Sequence, residues 1–198
     1  MGTKWKVYEQ RFRPENSASA KQKQRLIDFT KLISNASDTD FETQIEEYLD
    51  MEAFLKFIAA NALLSNLDSY LGFGHNYYLY LNPSPNKFVF IPWDLDLSLA
   101  TWPAVGTPEQ LVKLSIRHPH AGENRLIDRV LAVEKYNQQY QAIVKEMHAS
   151  NFSSSRQLAM LEKLQEVLEK PKAKERAAVT TRQEDRGNGP ATGFGMVA

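Results

Sequence analysis

Between Met51 and Asn66 the chain carries Phe54, Leu55, Phe57, Ile58, Ala62, Leu63 and Leu64, so a helix through this stretch is apolar around most of its circumference. Such a helix has to be enclosed, and the rest of the chain has to enclose it. Asp50 stands where an N-cap belongs and predicts where the helix starts. The helical period stops in Asn66-Leu67-Asp68-Ser69-Tyr70-Leu71-Gly72-Phe73-Gly74-His75, whose Gly, Asn and Asp content predicts a loop. Whatever this loop carries is anchored to the buried spine of the domain.

Further helices are expected around that spine. Leu26, Ile27, Phe29, Leu32 and Ile33 mark the last turns of a helix within 17–33, and Thr39 with Glu42 resembles a capping box opening a short helix through Tyr48. Downstream, Leu126 to Val133, Tyr136 to Met147 and Leu158 to Leu168 form three amphipathic segments, the last expected to stop at Pro171. Tyr77 to Leu81 and Lys87 to Ile91 are rich in aromatic and β-branched residues. They flank Asn82-Pro83-Ser84-Pro85-Asn86 and predict a β-hairpin whose ladder ends at Pro92. Leu99 to Glu123 has no clear period and reads as an irregular excursion, functional or mobile. The fold class is therefore α+β, a mainly helical lobe around a central β-hairpin.

Residues 1–170 are expected to form one domain and 171–198 a disordered tail or linker poor in core-forming residues. Trp5, Val7, Tyr8 and Phe12 find little to pack against locally, as in a chain entered mid-domain.

Several function classes drop out. Lys plus Arg and Asp plus Glu both count 24, so zero net charge gives no global electrostatic case for nucleic acid or an anionic membrane. With no cysteine there is no disulfide, thiolate metal site or cysteine nucleophile. Neither a signal peptide nor a membrane span is visible, and the compartment is left open. His118 and His120 flank Pro119 without the spacing of a zinc site and read as loop residues. Tyr77, Tyr78 and Tyr80 are expected to pack on the two faces of the hairpin rather than on bases. Gly187, Gly189, Gly193 and Gly195 follow no strand and open no helix, unlike a phosphate loop.

The chemistry gathers at the hairpin mouth. A turn at 82–86 pairs residues whose numbers sum to about 168–170, which sets Asn76 near Trp93 and Asp94. If the backbone stays extended past Pro92, Asp94 and Asp96 point the same way and converge. Two carboxylates and a carboxamide are a donor set for magnesium or manganese, which prefer oxygen ligands and substrate phosphates. Asp68, on the anchored loop, reaches the same mouth and could take a proton. Protein kinases use an Asp, then an Asn, then a second metal-binding Asp in this order, with a shorter first gap. Each residue also has a plainer reading: Asp68 as a turn former, Asn76 as a strand-edge residue, Asp94 and Asp96 as solvated carboxylates, and His75 as a packing or hydrogen-bonding residue.

Asn66-Leu67-Asp68-Ser69-Tyr70, His75-Asn76-Tyr77-Tyr78-Leu79-Tyr80 and Phe90-Ile91-Pro92-Trp93-Asp94-Leu95-Asp96-Leu97 together resemble the centre of the CotH (spore coat protein H) kinase family. Pro-Trp-Asp-x-Asp is the most specific piece, and the likeness spans roughly 5–165. The resemblance implies an atypical protein-kinase-like C-lobe and transfer of phosphate from ATP to a protein Ser or Thr. It implies Asp68 as catalytic carboxylate and Asp94 as main metal and nucleotide contact, with Asn76 and Asp96 assisting. Members occur in spore coats and as secreted or surface proteins. The family carries its nucleotide-cradling lobe upstream, so this chain is expected to begin after it, the lobe coming from upstream or from another chain. A non-catalytic assembly module and a truncated fragment are the competing expectations.

Overall fold

The computed structural model describes residues 4–185. Two compact units divide the chain, Met1–Ala149 and Ser150–Ala198. The first contains α1 (Trp5–Tyr8), α2 (Ala20–Asn35), α3 (Asp38–Tyr48), α4 (Met51–Leu63), β1 (Tyr77–Leu81), β2 (Phe88–Pro92), α5 (Pro108–Leu111), α6 (Arg125–Ala132) and α7 (Glu134–Ala149). It is α+β, helices built around one antiparallel hairpin. The second contains α8 (Ser154–Asp185).

Helix α4 is the spine that its composition requires. Phe54, Leu55, Ile58 and Ala59 are fully buried, and α7 and β2 pack against the helix. Asp50 caps it, accepting from the Ala53 N–H at 3.1 Å. Two main-chain bonds then tie the following chain to both ends of α4. Asp50 N–H donates to Phe88 O at 3.0 Å, and Leu99 N–H donates to Leu64 O at 2.6 Å.

The hairpin register pairs Tyr77 with Pro92 and Leu81 with Phe88, the sum of 169 lying within the expected range. Asn82 N–H donates to Lys87 O at 2.9 Å and Trp93 N–H to Asn76 O at 3.0 Å, so hydrogen bonds fall on the even-numbered residues of β1. Pro92 therefore sits at a non-bonded position, where its missing N–H costs the ladder nothing, and it belongs to β2. The inward face sets Tyr77 on Phe90, ring centroids 5.3 Å apart, and Phe90 on Phe54 at 4.9 Å.

Three local expectations are corrected. The cap of α3 is Ser37, which accepts from Asp40 N–H at 3.1 Å, so the helix starts before Thr39. Tyr8 is buried, with Trp5 stacked on it at 6.5 Å, and α1 packs against α2, so the opening aromatics do find partners. Pro171 lies inside α8 rather than ending it. Strong helix formers on both sides, Leu-Glu-Lys before and Lys-Ala-Lys-Glu-Arg-Ala-Ala after, outweigh the lost bond. The tail expected at 171–198 is thus helical to Asp185, and its remainder, with the four tail glycines, lies outside the described residues.

Candidate active site

The loop leaving α4 is held from within. Asn61 Nδ2 donates to Phe57 O at 2.9 Å, and Asn61 Oδ1 accepts from Asn66 Nδ2 at 2.9 Å. Ser69 Oγ donates to Asn66 O at 2.6 Å and accepts from Leu71 N–H at 3.2 Å. The N–H groups of Gly72, Phe73 and Gly74 all converge on Ser69 O. Asn61, Asn66 and Ser69 are buried, and sequence reasoning did not single them out as supports of the loop. The available signal was Asn61 itself, a polar residue within the apolar run from Phe57 to Leu63, where it must find partners.

This frame presents Asp68, whose side chain is 11% exposed. Asn76 Nδ2 donates to Asp68 O at 2.9 Å and to Asp68 Oδ2 at 3.0 Å. His75 Nε2 lies 3.3 Å from Asp68 Oδ1. Both carboxylate oxygens are thus positioned by neighbours from the hairpin entrance. Asn76 reaches Asp68 because its backbone is left-handed, φ 55°, a conformation that Asn tolerates better than most residues, and Gly74 turns the chain just before it at φ 69°. Nδ2 is engaged, and Asn76 Oδ1 accepts no hydrogen bond among the described residues.

Across the hairpin mouth, the Trp93–Asn76 main-chain bond sets Asp94 beside Asn76 in the fold, as the register argument expects. The extended path past Pro92 does not continue: Asp94 adopts φ 51° and the chain turns from Asp96 through Ala100. The i, i+2 argument for convergence of Asp94 and Asp96 therefore does not apply. Both are exposed, and neither carboxylate takes part in a hydrogen bond or ion pair among the described residues. Asp68, Asp94 and Asp96 do not form a group whose ligand oxygens all lie within 4.8 Å of one another.

Aromatic side chains rim the mouth. Phe73 packs edge-on against Trp102 at 5.1 Å, and His75 lies near both rings. On the other side Tyr78 meets Trp93 edge-on at 5.3 Å. Tyr70 and Tyr77, 4.9 Å apart, fill the space beneath. Burial raises both phenols above their ordinary pKa, so they remain neutral supports rather than bases. Tyr77 faces inward while Tyr78 and Tyr80 face solvent, the two-faced arrangement expected of them.

The family model described as CotH kinase protein matches residues 2–188 of this chain. Over 128 residues the chain is 28% identical to inner spore coat protein H of Bacillus subtilis (strain 168), covering 65% of this chain and 33% of that protein. The chain spans about a third of the length of the curated relative it matches.

Proposed function

This chain belongs to the CotH kinase protein family, and from that premise we propose that it is a kinase-like C-lobe that moves phosphate from ATP to a protein Ser or Thr hydroxyl. The supporting observation is the Asp68 carboxylate, nearly buried yet fixed by Asn76 and His75 at the entrance of the hairpin. A proton acceptor in phosphoryl transfer has to be positioned before the substrate arrives.

The donor atoms are of the type that a hard divalent cation prefers, although strand geometry does not bring Asp94 and Asp96 together. Asp94 and Asp96 are exposed carboxylates without a partner among the described residues, and Nδ2 rather than Oδ1 of Asn76 serves Asp68. Magnesium or manganese held there with ATP would supply neutralisation of phosphate charge. Asp68 Oδ1, the less tightly held oxygen, takes the proton of the acceptor hydroxyl as its oxygen bonds to phosphorus and the bond to ADP breaks. Asn76 keeps Asp68 oriented, and the loop network keeps it from following the substrate.

The test is a thermal melt with and without manganese and ATP, followed by a phosphate-transfer assay on a protein acceptor. Manganese with ATP should raise the melting temperature of the wild type and leave Asp94→Asn unmoved. Asp68→Asn should keep the shift and lose transfer. A wild type indifferent to manganese and ATP would overturn the reading for this chain.

A further inference from the structure

We propose that His118, His120 and Asp128 form a second metal site, one for a borderline divalent cation of the zinc type and separate in donor chemistry from the oxygen set at the hairpin mouth. One ligand-capable atom from each of the three lies within 4.8 Å of the others. Two ligands on a tetrahedral zinc stand roughly 3.3 Å apart. His118 is exposed and the Asp128 side chain is half-exposed, so both can close that difference.

The hydrogen bonds prepare the imidazoles for this role. His118 Nδ1 lies 3.2 Å from His120 O, and a carbonyl only accepts, so Nδ1 carries the proton and the Nε2 lone pair is available. A ring N–H given to a main-chain carbonyl is the usual way a ligating histidine is oriented. His120 is buried, with Nε2 2.8 Å from Asp128 Oδ1. That bond places a proton on Nε2 and leaves Nδ1 a bare acceptor, and Nδ1 is buried without a hydrogen-bond partner. Nδ1 points away from the carboxylate, so a cation shared with Asp128 takes the place of the proton between His120 Nε2 and Asp128 Oδ1, and the ring proton moves to Nδ1. The rings of His118 and His120 already lie together, centroids 4.1 Å apart.

Two histidines around one proline lack the spacing of a zinc site, and so they were expected to be plain loop residues. The third donor comes instead from the first turn of α6, after the loop has folded back. Around the group, Ala121 N–H donates to Leu71 O at 2.8 Å and Asn124 Nδ2 to Tyr70 O at 3.1 Å. A cation here would clasp the end of the 99–123 excursion to α6, next to the loop that carries Asp68. Imidazole nitrogens favour zinc-type ions over magnesium, so the two sites can be loaded selectively.

The experiment uses the full chain without a histidine tag and titrates Co2+ by visible absorption and Zn2+ by thermal melt. Wild type and Asp94→Asn should both show a cobalt band and a zinc-induced rise in melting temperature. His118→Ala removes an exposed side chain, and Asp128→Asn keeps an acceptor for His120 while losing the charge. Both should bind at least tenfold more weakly. Absence of the band and of the shift in the wild type, or undiminished binding in His118→Ala and Asp128→Asn, would overturn the site and leave His120–Asp128 as a hydrogen-bonded pin alone. Because Asp94→Asn keeps zinc binding, failure at the hairpin mouth and failure here are read separately.

Discussion

Asn76 gives a single amide nitrogen to both the main-chain oxygen and the carboxylate of Asp68, at 2.9 and 3.0 Å, from a left-handed backbone position. Side chain and backbone contribute separately, and two substitutions divide them. Asn76→Gly keeps the backbone and loses the bonds, which should cost about 2 kcal/mol for a charged, nearly buried acceptor. Asn76→Ala should lose about 1 kcal/mol more, because a Cβ disfavours positive φ. Urea unfolding of the pair checks this, and equal midpoints would contradict the backbone part.

Gly72 occupies a place where a side chain has no room. A Cβ there would fall onto the main-chain carbonyl of Leu67, one residue before Asp68. Gly72→Ala should destabilise by about 3 kcal/mol, because backbone rather than a flexible side-chain tip must yield. Calorimetry would show a lowered melting temperature, and near-wild-type melting would mean that the loop relaxes freely.

Glu46 accepts from Tyr136 Oη at 2.7 Å and Lys135 Nζ at 3.1 Å, and these bonds, the tyrosine first, hold its carboxyl below the ordinary value of 4.5. A lowered folded-state pKa contributes stability that is present above the unfolded value and lost as pH falls through the folded one. Burial first, then the Glu46 bond, pushes the Tyr136 phenol up to about 12 from 10.0, so its contribution is complete below pH 10.0 and lost as pH rises toward 12. Tyr136→Phe should cost about 1 kcal/mol at pH 7. The gap between mutant and wild type should narrow below pH 4.5 and again above pH 10.0. A difference independent of pH would dismiss the coupling.

Arg129 joins three helices through one guanidinium. It donates to the main-chain oxygens of Leu32, Ile33, Ala36 and Ser37 and to Asp38 Oδ1, and lies over the Phe41 ring at 4.3 Å. Lysine has neither the fork nor the planar face. Arg129→Lys should destabilise by about 2 kcal/mol, read from denaturant midpoints at fixed slope. An unchanged midpoint would show that water replaces these contacts at no cost.

What could be read beforehand was what depends on local chemistry. Asp50 as a cap, α4 as a spine and the hairpin register all follow from residues within a few positions of one another. The helix boundary at Ser37 escaped because Thr39 and Glu42 offer a rival capping pattern nearby, and only the folded geometry chooses between them. Asp68 and Asn76 could be named, yet their direct contact rests on positive φ at Gly74 and Asn76, which composition does not specify. The turn at Asp94 was hidden for the same reason. His118 and His120 were visible but inconclusive, since Asp128 becomes their neighbour only after α6 packs. Arg129 carried no local signal, because its acceptors lie about ninety residues away.

The bonds Asp50–Phe88 and Leu99–Leu64 make the chain between them a measured span. A residue inserted or deleted there cannot be absorbed by sliding either end, because both are moored to one rigid helix. An added residue must be taken up as a bulge at the turn around Asp94 and Asp96, and a deleted one must straighten that turn. The spacing of the two acidic residues is thus governed by a helix to which neither belongs, and tolerance to insertions should drop sharply on crossing from 82–86 into 93–98.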